Sequence, residues 1–168
     1  MATQLCNIII TRTSQCNLLE ISKLHASLFG PGRFVRAAYR VRESVTHVSP
    51  FCHIAKCDGI VIASISFTKI CIGNKPGALM LGPLAVNSSY AGFGIGRNLI
   101  QTSLNLARSA EINLVTLVGD LAYYKSVGFA VAPKQQILLP GPFDYSRVLI
   151  CELRQGASLD YKGMIRPV

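Results

Sequence analysis

Tryptophan is absent from the 168-residue sequence, and only 8% of the residues are aromatic. Acidic side chains are scarce as well: eight Asp and Glu stand against 17 Lys and Arg, a formal charge of +9. That excess favours an anionic partner, and it suits a nucleic acid or a phosphorylated cofactor equally. The shortage of aromatics, with no recognition motif beside the charge, argues against nucleic acid. Long apolar runs are missing too. None approaches the roughly 18 residues that cross a bilayer, and MATQLCNIIITRTSQ lacks the basic start, apolar core and small-residue cleavage site of a signal peptide. The expectation is a cytoplasmic protein with no membrane partner.

The six cysteines (Cys6, Cys16, Cys52, Cys57, Cys71, Cys151) contain no C-x-x-C pair. Most sit in apolar runs such as SFTKICIG and RVLICEL, so buried, reduced thiols are expected. His25, His47 and His53 have no zinc-type spacing from one another or from Cys52 and Cys57, and no metal site is expected.

What is present fits one core. Half of the residues are hydrophobic, and a chain of this length buries roughly two-thirds of its unfolded surface. Residues 1–168 are therefore read as a single domain. LCNIIIT is short and β-branched, a first strand. Leu18, Ile21, Leu24, His25 and Leu28 recur at helical spacing and place a helix over about 16–29, ended by Gly30-Pro31-Gly32. RFVRAAYRVRE reads as a second helix, with Arg33, Arg36 and Arg40 on one face and Arg42 nearby. A solvated face and an anionic ligand both account for such a cluster.

FCHIAKC and IVIASISFTKICI flank Asp58-Gly59, the signal of a tight type I′ hairpin. After a turn at Asn74–Gly77, ALMLGPLAV continues the meander. Pro83 has no N–H for a ladder, so a bulge or splay is expected near Gly82-Pro83. Ile95, Leu99, Leu106, Ala107 and Ala110 form one face of an amphipathic helix, opposite Arg97, Asn98, Gln101, Asn105 and Arg108. NLVTLVGD is apolar throughout, as a strand covered on both faces would be. A short helix ends at Gly128, and QQILLP and SRVLICEL supply final strands of a mixed α+β fold.

Between the meander and the amphipathic helix stands YAGFGIGRNLI. A strand, then Gly92, Gly94 and Gly96 at alternate positions, then a helix gives backbone N–H groups and a positive dipole end suited to an anion such as a pyrophosphate. Glycines allow unusual backbone angles and close approach of phosphate oxygens. A Walker loop is excluded because no Lys-Ser or Lys-Thr follows a glycine here. A dinucleotide fingerprint fails because the third glycine falls on Arg97, and because the loop follows a β-meander instead of opening a βαβ unit.

In this order, LGPLAV, the glycine turn, the amphipathic helix, LVTLVGD and AYYKSVGF resemble the GNAT N-acetyltransferase superfamily and its small single-domain bacterial members. The resemblance is most specific from Leu81 to Phe129. It implies an α+β GNAT fold, with a mixed, mostly antiparallel sheet flanked by helices and one splayed strand pair. It also implies acetyl transfer from acetyl-CoA, without a metal, to a primary amine of a small molecule or peptide, by direct attack in a ternary complex. The family's Q/R-x-x-G-x-G/A loop falls on Ala91, Gly92, Phe93, Gly94, Ile95 and Gly96, with Arg97 adding charge. Ala91 departs from the usual Gln or Arg, which removes that side chain's contribution and leaves the backbone donors of Gly92, Gly94 and Gly96 with Arg97 beside them.

The same resemblance assigns the segment Leu84, Ala85 and Val86 to the cofactor's pantetheine arm, through main-chain bonds from Leu84 and Val86, and sets Asp120 beside the cofactor. Tyr124 matches the tyrosine of F-Y-x-x-x-G-F, the residue that would protonate the departing thiolate. A phenol is protonated at neutral pH and can serve as that acid. Tyr123 is read as a packing residue.

A base is needed because only a free amine lone pair attacks the thioester. Asp58 belongs to a turn, Glu111 to a helix end, and Asp144, Glu152 and Asp160 to the late segments, while Glu20 faces away from the apolar stripe. Glu43 is ranked first, with Asp120, His47 or a water chain left open. A non-catalytic acyl-CoA-binding or regulatory module is the alternative, given Ala91 and the missing obvious base. The oligomeric state is left open, a homodimer included.

Overall fold

The computed structural model of the chain describes residues 6–35, 37–43, 45 and 47–168. Strand β1 (Ile8–Arg12) leads through a 3-10 turn into helix α1 (Leu18–Phe29), then a 3-10 segment (Pro31–Val35) and the short helix α2 (Ala37–Arg42). The meander follows as β2 (His53–Cys57), β3 (Ile60–Ile72) and β4 (Lys75–Val86). Helix α3 (Ile95–Ser109), β5 (Leu114–Val118), α4 (Leu121–Tyr124), β6 (Ala130–Val131), β7 (Ile137–Leu138), β8 (Val148–Glu152) and β9 (Gly163–Pro167) complete it. No helix of the described residues is long and apolar enough to cross a membrane.

The strands run in the order β1-β2-β3-β4-β5-β8-β6, with β9 against β3 and β7. Among the described residues only β4–β5 and β7–β9 are parallel. The hairpin turn is as the sequence predicts: Asp58 and Gly59 both take positive φ, 50° and 81°, and Cys57 pairs with Ile60. Strand β9, which the sequence reading missed, holds only five residues, of which Ile165 alone is buried. A one-residue apolar signal is too weak to register as a strand.

Helix α3 covers one face of the sheet with Ile95, Leu99, Ile100, Leu104 and Ala107, packed on Ala63, Ile65, Phe67, Leu79 and Leu117. Leu104 and Ile100 belong to its buried face, whereas Ala110 is exposed and caps the helix. The opposite face is covered in part by α1, whose Ile21 and Leu24 meet Ile54, Val61 and Ala85. Val41 of α2 joins Ile70, Met80, Leu114 and Tyr161 there. Alternation along β3 puts Ile65 and Phe67 toward α3, and Ser64, Ser66 and Thr68, at the intervening positions, are buried as well.

Two irregularities open the sheet. In the β3–β4 ladder Ile65 pairs with Leu84 but Phe67 with Leu81, so Gly82 and Pro83 together face Ser66. That is the bulge expected at Pro83, and the Gly82-Pro83 peptide is cis. The parallel β4–β5 pairing stops at Met80 and Thr116. Beyond it Leu84 pairs only toward β3, and Leu117 and Val118 only toward β8. The two strands diverge in a V whose inner edges have unpaired backbone groups.

The cysteines do not all follow the expected pattern. Pairing of β1 with β2 sets Ile8 opposite Cys57, which brings the preceding Cys6 alongside, and the two form a disulfide with a Cα–Cα distance of 5.8 Å. Cys16 is exposed, Cys71 partly so, and only Cys52 and Cys151 are buried free thiols. Among the described residues, Cys6, Cys57 and Asp58 are the one group near enough to share a metal ion, and two of its three ligand atoms are bound to each other.

Candidate active site

The glycine loop folds as a cradle. After a 3-10 turn capped by Asn87, whose side chain accepts from the Ser89 N–H at 2.9 Å, Gly92 and Gly94 take φ of 83° and 77°. Side chains rarely adopt that region, so glycine is needed there. Gly94 is the N-cap of α3 and carries no side chain to satisfy the first turn. The first helical bond is donated by Asn98 N–H to Gly94 C=O at 3.0 Å, so the N–H groups of Ile95, Gly96 and Arg97 have no helical acceptor. Gly96 is required for another reason: a Cβ there would collide with the Tyr123 hydroxyl and touch Val86 and Leu84.

This cradle opens into the V. A loop-side cleft is lined by Leu84, Val86, Tyr90, the loop residues Ala91, Gly92, Gly94, Ile95, Gly96 and Arg97, and Gly119, Asp120 and Tyr123 on the β5 side. A helix-side cleft is lined by Phe29 and Tyr39 from the first two helices, Gly82 and Pro83 at the bulge, and Phe143 and Asp144 from the loop before β8. Leu84, Val118, Tyr124 and Arg147 line both. The two clefts therefore meet at Tyr124.

Tyr124 is held in place by its neighbours. Its ring stands edge-on to Tyr123, 4.9 Å between centroids, and to Phe129, 5.7 Å, and lies over Gly119, where a Cβ would clash with it. Burial, and next Tyr123, push its phenol up to about 12. A partly buried hydroxyl thus stays protonated across the neutral range.

Of the other residues singled out from the sequence, Asp120 lines the loop-side cleft, but its carboxylate caps α4, accepting from Ala122 N–H at 3.0 Å. Ala85 is buried against α1, and Phe93 points to solvent at 67% exposure. Glu43 is exposed just past α2 and lines neither cleft. The arginine cluster is dispersed. Arg33 donates to Gly30 C=O at 2.8 Å, Arg40 packs against Gly141, and Arg36 lies outside the described residues. Arg42, whose guanidinium carbon lies 5.9 Å from the Tyr39 ring centroid, borders a separate small cavity also lined by His47, Thr13 and Ser66, and its Nη1 is buried without a hydrogen-bond partner among the described residues.

Sequence reasoning passed over four residues at the clefts. Tyr123, expected to pack, lines the loop-side cleft, where Arg97 partly offsets the upward push of burial on its phenol. Tyr39 and Arg147 carry no motif. Asp144, one of the late carboxylates, lines the helix-side cleft and accepts from the Ser146 N–H at 2.9 Å and hydroxyl at 2.7 Å. Those bonds hold its carboxyl below the usual range. An Asp-x-Ser turn before a strand was its available signal.

A strand pair that splays beside a glycine-capped helix, with a tyrosine at the junction, is the arrangement that the GNAT resemblance implies, and the family comparison agrees. Residues 18–129 match the model of the acetyltransferase (GNAT) family, and the chain belongs to that family. The uncharacterized N-acetyltransferase YjhQ of Escherichia coli (strain K12) is 27% identical over 120 residues, which are 70% of this chain and 66% of that protein. The crystal structure of the GNAT family N-acetyltransferase YhbS from Escherichia coli, in complex with CoA, covers 100% of this chain and 93% of its own, with a TM-score of 0.83 at 20% identity. A GNAT family acetyltransferase from Brucella melitensis, in complex with acetyl-CoA, has a TM-score of 0.62 at 27% identity, over 90% of this chain and 97% of its own. The expected family and α+β fold are borne out.

Proposed function

We propose that this chain moves the acetyl group of acetyl-CoA directly to a primary amine of a small molecule or peptide, both held in the V between β4 and β5. The observation that carries this reading is the junction of the two clefts at Tyr124, which makes the loop-side cleft the donor side and the helix-side cleft the acceptor side, meeting at one hydroxyl. Acetyl-CoA use is supported by the glycine cradle and by the acetyl-CoA complex of the Brucella melitensis relative. When bound, acetyl-CoA supplies an activated thioester and a thiolate leaving group.

The chain's residues divide the remaining work. Backbone N–H groups of Gly92, Gly94, Ile95 and Gly96 bind the diphosphate, with Arg97 as the nearby cation and Ala91 contributing only backbone. Leu84 and Val86 offer the pantetheine arm the main-chain groups on their open edge, as a sheet edge receives a strand. Tyr124 holds a proton for the departing sulfur. Much of the rate comes from holding the two reactants together. Glu43 stands on the surface, so a proton taken up through water is the simpler route from the amine. The test is thiol release from acetyl-CoA across an amine library. Cofactor binding without transfer to any amine would favour the non-catalytic acyl-CoA-binding module.

A further inference from the structure

Ser64, His25 and Tyr39 form a chain of hydrogen bonds from the middle of the sheet to the acceptor-side cleft. His25 lies in α1, 4% exposed, with Ser64 in β3 at 1%. The Nε2 of His25 is 3.1 Å from Ser64 Oγ, and its Nδ1 is 2.6 Å from the hydroxyl of Tyr39, in α2. The rings of His25 and Tyr39 meet edge to face at 5.9 Å, and Phe29 closes the other side of the imidazole at 5.8 Å. Tyr39 lines the acceptor cleft, as does Phe29. None of the three hydrogen-bonded residues has a part in holding the cofactor.

We propose that the Tyr39 hydroxyl positions the acceptor by taking a hydrogen bond from the N–H of the attacking amine, and that His25 and Ser64 keep it turned to do so. The inference rests on the amine-acetylating reading above.

Its chemistry follows from the inventory of donors. A neutral imidazole has one N–H and one lone pair. A phenol is a stronger donor than an aliphatic hydroxyl or an imidazole N–H, and the shorter of the two contacts is the one to Tyr39. The Tyr39 O–H therefore donates to Nδ1, and Nε2–H donates to Ser64. Burial, then Arg42 and Arg33, lower the imidazole to about 4 and keep it neutral, which preserves this arrangement at physiological pH. A phenol oxygen that has donated its proton keeps two lone pairs as acceptors, and Tyr39 lines the cleft. An amine that gives one N–H to that oxygen has its rotation fixed, so that its own lone pair can be aimed at the thioester carbon. No proton leaves Tyr39 in this role.

Two measurements test it. The 15N shifts of His25 should show a neutral ring protonated at Nε2; protonation at Nδ1 overturns the proposal. In steady-state acetyl transfer with propylamine, O-phosphoethanolamine and alaninamide as acceptor probes, Tyr39→Phe should raise the acceptor KM by roughly 10- to 100-fold, the range for one lost hydrogen bond in a desolvated site. The KM of acetyl-CoA should stay within about twofold, because Tyr39 is absent from the donor-side cleft. His25→Leu should imitate Tyr39→Phe. His25→Gln, whose amide can accept from Tyr39 and donate to Ser64, should recover much of the loss. An unchanged acceptor KM in Tyr39→Phe, or a His25→Gln protein no better than His25→Leu while both melt with the wild type, overturns the role. Wild-type protein that binds acetyl-CoA but acetylates none of the probes counts against the amine-acetylating reading itself, and this role falls with it.

Discussion

At the scale of single residues, the two adjacent tyrosines differ by what surrounds them. Tyr124 is the more enclosed and stands where both clefts meet, whereas Tyr123 is 38% exposed and reaches only the donor side. Removing the Tyr124 hydroxyl should lower kcat by roughly the 10²–10⁴ of a lost general acid while acetyl-CoA affinity holds. Tyr123→Phe, losing the same atom, should stay within a few-fold. Wild-type turnover in Tyr124→Phe with a verified acceptor would remove the proton-donor role. Since burial pushes the Tyr124 phenol up to about 12, any alkaline loss of activity well below that pH should belong to another group.

His25 yields a stability prediction of definite sign. Its folded value, about 4, lies below the ordinary 6.5. Between those values the unfolded chain binds a proton that the folded chain refuses, so stability is fully present above pH 6.5 and falls as the pH drops toward 4. The loss is on the order of 3 kcal/mol. Urea titrations at pH 7 and pH 4.5 should show a smaller acid loss in His25→Gln than in the wild type, and equal losses would refute the assignment.

At the scale of elements, the glycine loop and the start of α3 act together. Gly94 sits at φ 77° with open space around its Cβ direction, so a valine there meets backbone strain and little else. Gly94→Val should abolish the melting shift given by acetyl-CoA while leaving a cooperative fold, and an undiminished shift would take the loop out of the site. The reverse change is also informative. Ala91 lines the donor-side cleft at the place where the family usually carries Gln or Arg. Ala91→Arg should tighten acetyl-CoA binding several-fold at low salt and less at high salt, because a partly exposed guanidinium is screened. Calorimetry at two ionic strengths reads this directly.

At the scale of the whole molecule, the bulge and the divergence of β4 from β5 interrupt an otherwise continuous sheet, and in the function proposed above acetyl-CoA occupies that gap. Acetyl-CoA should therefore stabilise the protein as a ligand of the folded state alone does, by about 2.7 kcal/mol at a free concentration one hundred times Kd. The +9 charge serves this reading only in part. Of the basic residues, Arg97 and Arg147 face the clefts, whereas the dense arginine segment spends itself on Gly30, Gly141 and a separate cavity.

The sequence by itself determined what is local. The hairpin at Asp58-Gly59, the bulge at Pro83, the glycine cradle before α3 and the short helix with Tyr124 each depend on residues within a few positions of one another, where backbone sterics and periodicity suffice. Tertiary structure decided what joins distant segments. Pairing of β1 with β2 brought Cys6 to Cys57 across 51 positions, contrary to the expectation of reduced thiols. Packing of α1 on β3 placed His25 between Ser64 and Tyr39, and the loop before β8 carried Asp144 and Arg147 into the clefts. None of these residues announces its partner, because a contact between segments is fixed by how the elements pack and not by any spacing along the chain.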